Sequence, residues 1–365
     1  MAAPTTTIWP LDPHTSAKHA ILRRYLQAWI PILTLGRFPR VAYFDGFAGP
    51  GKYSDGEDGS PIIALKAALE QKPPIRGQVI FRFVEEKPDR AEVLQQIVNS
   101  LPIPNNFDVR VEGGRKFEAA FEDFRAHYIN NAGKIPPTFA FIDPFGWTGA
   151  PFSAVQFLMS QPSCEAFITF MYEEINRFIG HPDQEANFDA LFGSLSWRSC
   201  ASLSESRERN RCLHDLYLGQ LRRVAKYVRY FEMRNEANRT DYFLFFATNN
   251  FLGLKKMKES MWKVDKSGEF SFADTTDPNQ TVLFDKPNYA LLKKQILERF
   301  KGQETTVGEI EEFIVVDTAF RETHYKREVL RLLELTTPPA IKVSDPPPGR
   351  KKGQFPSASL RIRFL

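Results

Sequence analysis

Apolar runs and amphipathic segments alternate along the first half of the chain. A run such as Val41–Asp45 predicts a buried parallel strand, because a strand covered on both faces is apolar throughout. Segments such as Ser16–Leu35 carry apolar residues at helical spacing and predict amphipathic helices. Five strands are predicted in this way, at Val41–Asp45, Gln78–Val84, Phe107–Val111, Thr138–Ile142 and Cys164–Phe170. Their alternation with helices predicts an α/β fold with a mostly parallel sheet.

The alternation stops after the fifth strand, and the rest of the chain is organised differently. Residues 172–236 are charged and helical in composition, which predicts a helical insertion beside the substrate cleft, while Tyr242–Ala247 returns to the sheet. From Pro287 onward, three helical segments followed by two short apolar runs predict a winged-helix fold. The sequence therefore predicts an α/β domain at 1–286, containing the insertion, and a winged-helix domain at 287–365.

The stretch VAYFDGFAGPG at Val41–Gly51 leads from the first strand into a glycine-rich turn. Glycines let the backbone turn sharply here and approach a ligand where a Cβ atom would collide. The Asp-x-Phe-x-Gly-x-Gly order resembles the first motif of class I S-adenosylmethionine methyltransferases, especially nucleic-acid N-methyltransferases. The resemblance implies S-adenosylmethionine as the cofactor, and a cofactor-binding loop formed by Asp45, Gly46, Phe47, Gly49 and Gly51.

An extended segment separates the glycine loop from the next helix. Lys52–Gly59, KYSDGEDG, precedes Ser60 and Pro61, which supply an N-cap and a proline suited to the first helical turn. Because the free N–H groups of a helix N-terminus attract anionic groups, Ser60 is a further candidate for cofactor contact. The extended segment is alternatively a lid over the substrate.

An acid follows the second predicted strand. A carboxylate at this position accepts hydrogen bonds from the hydroxyls of a ribose, and Glu85 occupies the position by register. Glu86 is the neighbouring alternative, and a surface acid at a strand end is the simpler interpretation of either. Many methyltransferases carry an acid for the adenine amine after the third strand. Here Gly113–Arg115 offers none, which leaves Glu112 or a main-chain group for that contact.

The fourth predicted strand ends in Asp143-Pro144-Phe145-Gly146. In doubly wound sheets, ligands bind beyond the carboxyl ends of the strands, so this loop is expected to face the glycine loop. It resembles the (D/N)PP(Y/F) loop of amino-group methyltransferases, with glycine in place of the second proline. The resemblance implies that Asp143 and the Pro144 carbonyl orient an exocyclic amine and that Phe145 stacks on the base. The alternative is an ordinary Asp-Pro turn with a buried Phe.

Charge and chemistry in the C-terminal region indicate a polyanionic partner. The formal net charge of the chain is +4, and the whole excess lies in 285–365, where 15 Lys and Arg face 11 Asp and Glu. The third predicted helix, Thr323–Leu335, and the wing loop, which lies between the short apolar runs Ile341–Val343 and Ser359–Phe364, place basic residues where winged helices contact nucleic acid. The candidates are Lys326, Arg327, Arg331, Arg350, Lys351 and Lys352. Docking of another protein is the alternative function of such a domain.

Several features narrow the class of protein. The three cysteines, Cys164, Cys200 and Cys212, lack the spacing of a zinc site, and their odd number does not indicate a disulfide framework, so packing roles in a reducing cytoplasm are expected and no metal is assigned. No basic-apolar leader and no apolar run of membrane-spanning length is present in the sequence. His14, Lys18 and His19 precede the first strand, where they either face the cofactor or, as we favour, form a capped surface turn.

The order of the motifs resembles one family. YFDGFAGPG, Gly59-Ser60-Pro61, FVEE, FIDPFG and YFLFFATNN, followed by Gly253 and the block Met257–Trp262, closely resemble the bacterial three-Cys-motif partner proteins over most of 14–265. The resemblance implies a methyltransferase-like fold and a partner similar to radical-SAM iron–sulfur proteins. Two functions follow: a methyltransferase acting on an exocyclic amine of a nucleic-acid base, or an inactive scaffold for that partner.

Overall fold

The computed structural model describes residues 6–36, 38–235, 237–265, 271–273 and 287–365. The chain divides into two compact units, one formed by Met1–Ser260 with Phe272–Pro278 and the other by Met261–Ser271 with Asn279–Leu365. The boundary predicted between 286 and 287 involves residues before 287 that lie outside the described ones.

A central sheet organises the first unit. Its strand order is β3-β2-β1-β4-β5-β7-β6-β8. Strands β1 to β5 run parallel, whereas β7 is antiparallel to both of its neighbours, β5 and β6. The strands are β1 (Arg40–Asp45), β2 (Gln78–Glu85), β3 (Phe107–Gly113), β4 (Thr138–Ile142), β5 (Glu165–Phe170), β6 (Tyr227–Arg234), β7 (Thr240–Thr248) and β8 (Ser271–Ala273). This is the Rossmann-like sheet of class I methyltransferases, and it confirms the predicted fold class.

Helices connect the strands and cover the sheet. They are α1 (Pro13–Thr34), α2 (Ser60–Leu69), α3 (Pro88–Ser100), α4 (Phe117–Ala132), α5 (Phe152–Ser160), α6 (Tyr172–Phe178), α7 (Glu185–Phe192), α8 (Trp197–Ala201), α9 (Ser206–Val224) and α10 (Phe251–Met261). The core is aromatic: Phe44 of β1 packs against Phe117, Phe121 and Phe124 of α4. The apolar stripe predicted on α4 is therefore a packing surface.

The helical insertion is shorter than predicted. Helices α6 to α9 account for Tyr172–Val224, but Tyr227–Arg234 forms strand β6 beside β7. The charged and polar residues of this strand alternate with buried ones such as Phe231 and Met233, which is the period of a strand with one covered face. The prediction relied on the composition of the segment and not on this alternation. The prediction that 172–236 is helical throughout is therefore wrong for β6.

The cysteines also differ from expectation. Cys200 of α8 and Cys212 of α9 form a disulfide, whereas Cys164 is buried and free. The two helices pack together and bring the Cα atoms of the pair within 5.5 Å, a separation that suits a disulfide. The prediction that these two residues serve only as packing is therefore wrong.

The second unit is a winged helix. It contains α11 (Tyr289–Phe300), α12 (Val307–Asp317) and α13 (Arg331–Leu335), the last preceded by a π-helical turn at Lys326–Leu330. Its three-stranded sheet has the order β10-β11-β9 and is formed by β9 (Glu304–Thr306), β10 (Ile341–Val343) and β11 (Arg361–Phe364). Thr306 caps α12 in a reciprocal arrangement with Glu309. The predicted winged-helix fold is confirmed, with β9 as an additional strand.

Candidate functional site

Two loops that the sequence singled out lie at one edge of the sheet. Strand β1 lies between β2 and β4, and Asp45 at its end pairs in register with Phe83 and Phe141. All three strands run parallel, so their carboxyl ends meet at this edge. The glycine loop, Glu85 and the Asp143–Gly146 loop are thereby brought to the same side of the sheet.

Asp45 holds the turn from inside. Its side chain is fully buried and accepts hydrogen bonds from the Tyr43 hydroxyl at 3.1 Å and the Phe47 N–H at 3.2 Å. Ser60, also buried, provides a further hydrogen bond that links the start of α2 to this carboxyl. Burial raises the pKa of Asp45 to about 7, although these donors oppose the shift. Asp45 and Ser60 thus fix the loop from behind.

A pH-dependent stability follows from Asp45. Its folded pKa, about 7, exceeds the ordinary 3.8, so the folded state binds the proton more tightly and loses stability as the pH rises from about 4 to 7. Asp45→Asn removes this loss. We expect the melting temperature of the variant to exceed that of the wild type by several degrees at pH 8, and the difference to shrink steadily towards pH 4, measured by circular dichroism. A difference that does not change with pH, or an equal effect of the exposed control Asp55→Asn, contradicts the assignment.

The glycines are required by conformation and by close packing. Gly49 has φ +63°, a left-handed conformation that other residues rarely adopt. Gly46 lies so close to Phe117 that a Cβ atom would fall 2.3 Å from the ring. Gly51 follows at the point where the extended segment closes, because the Gly59 N–H donates to its carbonyl at 2.8 Å. The glycine loop is therefore a fixed turn with the start of α2 directly beside it.

Glu85 connects the second strand to the glycine loop. One carboxylate oxygen accepts the N–H of Gly49 at 2.8 Å, and the other accepts the N–H of Lys87 at 2.8 Å. Burial raises the pKa of Glu85, while these two N–H groups oppose the shift. Because each carboxylate oxygen has two lone pairs, acceptor capacity remains for two hydroxyl groups. Its neighbour Glu86 points to solvent and lies 3.8 Å from Lys116.

Two other residues predicted to contact the cofactor instead contact neighbouring side chains of the protein. Phe47 stacks on Phe117 with ring centroids 5.6 Å apart, so its ring packs against the core. Glu112, a candidate for the adenine amine, forms an ion pair with Arg115 at 2.9 Å.

Asp143 is paired with a lysine from the first helix. Lys18 donates to both carboxylate oxygens, at 2.8 and 2.6 Å, and its side chain is almost fully buried. His14 and His19 are buried on the same helix, so the surface turn favoured from the sequence is wrong. Burial and the Lys18 cation lower the pKa of His19 to about 3, which keeps its imidazole neutral. The burial of Lys18 could have been predicted from the helical spacing of α1, because Lys18 lies one turn before Leu22 on the buried face.

The rest of the Asp143 loop presents an aromatic ring. Pro144 is buried, Phe145 is 42% exposed, and Gly146 turns the chain with φ +98°. The exposed ring contradicts the alternative of an Asp-Pro turn with a buried Phe. Trp9 packs against Phe145 with ring centroids 5.5 Å apart. No sequence motif predicted this contact.

The basic residues of the winged helix are not equivalent. Arg350 is buried in a two-bond ion pair with Glu334, with N–O distances of 2.9 and 2.6 Å, so its guanidinium stabilises the wing and does not face solvent. Arg327, Arg331, Lys351 and Lys352 are exposed, and Lys326 is partly exposed. We therefore leave Arg350 out of the candidate nucleic-acid surface, defined as Lys326, Arg327, Arg331, Lys351 and Lys352.

Two features are absent from the described part of the chain. No group of three or more His, Cys, Asp or Glu side chains in it is arranged to hold a metal ion. None of its helices is both long and apolar enough to cross a membrane.

Comparisons with known proteins give one partial match and several distant ones. A family model described as the GMT-like wHTH domain matches residues 271–336. No curated protein sequence matches the chain at a significant level. Among solved structures, an O-methyltransferase from Bacillus cereus in complex with SAH is similar at 14% identity and a TM-score of 0.36, over 65% of this chain and 82% of that one. The O-methyltransferase TomG from Streptomyces achromogenes, in complex with SAM, is similar at 10% identity and a TM-score of 0.34, over 64% and 80%.

A putative O-methyltransferase from Klebsiella pneumoniae is similar at 12% identity and a TM-score of 0.32, over 66% of this chain and 92% of that one. These TM-scores are low, so the similarity assigns no chemistry to this chain. The family-model match falls on the part of the chain where the winged helix lies, and the sheet order identifies the first unit as a methyltransferase-like fold.

Proposed function

We propose that this protein is an S-adenosylmethionine-dependent methyltransferase that acts on an exocyclic amine of a nucleic-acid base. One observation carries the proposal: the glycine loop after β1 and the Asp143–Gly146 loop after β4 lie side by side at the carboxyl edge of the sheet. A methyl donor and an acceptor amine need such adjacent sites, because transfer depends on alignment of the two reacting groups.

The residues of the glycine loop fit this cofactor. Glu85 is held by the N–H of Gly49 and keeps lone pairs for the two hydroxyls of a ribose. Gly49 carries no Cβ atom, so a planar group can lie against its backbone, and in this structure the tip of the Trp9 indole lies there. When bound, S-adenosylmethionine supplies an electrophilic methyl group on a positively charged sulfur.

The Asp143 loop fits an amine acceptor. The Asp143 carboxylate and the Pro144 carbonyl accept N–H hydrogen bonds, which would orient the lone pair of an exocyclic amine. Lys18 donates to both oxygens of Asp143, and each oxygen keeps a second lone pair for the amine. The exposed ring of Phe145 offers a surface on which a base can stack.

The winged helix supplies a basic surface for the nucleic acid. The Arg327 side chain is 83% exposed, and its guanidinium lies 3.6 Å from the carboxylate of Glu328. Lys351 and Lys352 lie on the exposed wing loop, which approaches α13 where Gly353 packs against Arg331. Exposed cations on a helix and wing suit contact with backbone phosphates.

Salt dependence tests this surface. Lys326→Ala, Arg327→Ala and Lys351→Ala together are expected to reduce the slope of log affinity against log salt concentration by about three units, at roughly 0.9 per phosphate contact. The measurement is fluorescence anisotropy with labelled DNA and RNA duplexes and single strands. The matched control, Lys293→Ala with Lys294→Ala on α11, should leave the slope unchanged. A wild-type affinity indifferent to salt would indicate docking of a protein instead.

A second candidate is an inactive scaffold for a protein similar to radical-SAM iron–sulfur enzymes. Side chains of the protein itself contact both loops, which favours this candidate. Lys18 binds both oxygens of Asp143, and Trp9 lies against Gly49. Exposed Leu332 and Leu335 on α13 offer apolar contacts for a partner protein.

Transfer of a labelled methyl group separates the two candidates. The intact chain is incubated with S-adenosylmethionine labelled on the methyl group and with pooled genomic DNA, ribosomal RNA or transfer RNA. We expect label in nucleic acid, and digestion should give a base methylated on its exocyclic nitrogen. Failure to bind the cofactor at all, by calorimetry, would remove the methyltransferase proposal and leave the scaffold.

A further inference from the structure

An amino-terminal segment is tied down beside the candidate site. Residues 6–10, here called the strap, precede α1. The Arg90 guanidinium donates to the carbonyl of Thr6 at 3.1 Å, and the Thr7 hydroxyl donates to the Asp89 carboxylate at 2.6 Å. Both anchors lie in the first turn of α3, immediately after the β2 edge that carries Glu85.

The strap places one aromatic ring on the glycine loop. The Trp9 carbonyl accepts the N–H of Ser54 at 2.9 Å, which fixes the backbone over the extended segment. Its indole contacts Tyr53 at 5.8 Å and Phe145 at 5.5 Å between ring centroids, edge to face in both cases. The tip of this indole also lies against Gly49 of the glycine loop. It is 3.7 Å from the position that a Cβ atom on Gly49 would take.

A cation completes the surroundings of the indole. The Arg90 guanidinium lies 4.6 Å from the centre of the Trp9 ring, within cation–π distance. Two aromatic side chains, a guanidinium and a glycine backbone are together the groups that hold a planar π system. The N–H of Gly49 donates to the Glu85 carboxylate. The space that the indole fills, here called the ring site, therefore adjoins an acceptor for sugar hydroxyls. A ring site next to a ribose acceptor indicates a nucleoside.

We propose that Trp9 occupies the nucleoside site in this structure and that the adenosyl part of the cofactor must displace it to bind. This inference rests on the proposed function, because it takes the adenosyl cofactor as the ligand. Strap and cofactor compete for the outer face of Gly49. The apparent affinity for the cofactor is then reduced by the fraction of molecules in which the strap is closed.

Binding of S-adenosylhomocysteine to the full chain tests the competition. Trp9→Ala should bind it about tenfold more tightly than the wild type. Stopped-flow measurement should assign the gain to a faster association rate with an unchanged dissociation rate, because the strap is already displaced in the bound state. Thr7→Val, which loses one anchor and keeps the indole, should show a smaller gain of the same kind. Leu35→Ala, an exposed position after α1, serves as the control and should match the wild type.

Opposite results overturn the inference. Weaker binding by Trp9→Ala, with a faster dissociation rate, would show that the indole packs on the bound cofactor instead of excluding it. Equal binding by the wild type and a folded Trp9→Ala, checked by circular dichroism, would show that strap and cofactor do not compete. A gain confined to RNA or DNA binding would assign the ring site to the substrate base. If neither protein binds S-adenosylhomocysteine, the proposed function fails together with this inference.

Discussion

Asp143→Ala is expected to lower the turnover number for methyl transfer by about a thousandfold. The side chain would lose the acceptor that orients the amine, and alignment with precise hydrogen-bond acceptors is the main contribution of a site whose leaving group is already good. Affinity for S-adenosylmethionine should change little, because Glu85 and the glycine loop lie on a different strand end. The measurement is single-turnover transfer of labelled methyl to the nucleic acid identified as substrate, together with calorimetry of the cofactor.

Two comparisons make the Asp143 prediction specific. Asp143→Asn keeps one oxygen acceptor and should recover much of the lost rate. Lys18→Met, which removes the cation from both oxygens of Asp143, should leave cofactor affinity similar and lower turnover, because the carboxylate loses the donor that fixes its position. Full methyl transfer by Asp143→Ala would mean that this loop does not orient the acceptor.

Glu85→Ala is expected to weaken binding of S-adenosylmethionine by about a hundredfold. The main loss is the acceptor for the ribose, and one hydrogen bond to a charged group contributes roughly 1.5–3 kcal/mol, whose upper end corresponds to about a hundredfold. Isothermal titration calorimetry of the intact chain measures the effect directly.

The neighbouring acid provides a matched control. Glu86→Ala removes a carboxylate one residue away whose side chain is 65% exposed, so it should leave cofactor affinity unchanged. Equal losses in the two variants would point to a general effect of charge, and no loss in Glu85→Ala would remove Glu85 from the cofactor site.

Much of the fold followed from local pattern. Buried parallel strands such as β1 and β4 are apolar throughout, and this signal requires no knowledge of their neighbours. Strand β6 escaped prediction because one face is solvated and its polar residues resemble those of the preceding helices. The disulfide depends on how α8 and α9 pack, and cysteine spacing alone does not contain that information.

The candidate site was predictable only in part, for the same reason. Motifs at strand ends placed Glu85 and Asp143 at one edge, because parallel strands end on the same side. Lys18 and Trp9 reach that edge from segments distant in sequence, and their contacts exist only after folding. The sequence does not distinguish Arg350 from the other basic residues of the wing. Its burial depends on the ion pair with Glu334, which forms only in the folded protein.

Hydrogen exchange tests the central claim, that both loops form one site, most directly. The intact chain is exchanged with and without saturating S-adenosylhomocysteine, and amide protection is followed by mass spectrometry. We predict slower exchange in peptides covering 46–53 and 143–150 together, with little change in the winged helix. Protection confined to other parts of the sheet, or bound ligand that protects neither loop, would contradict the account.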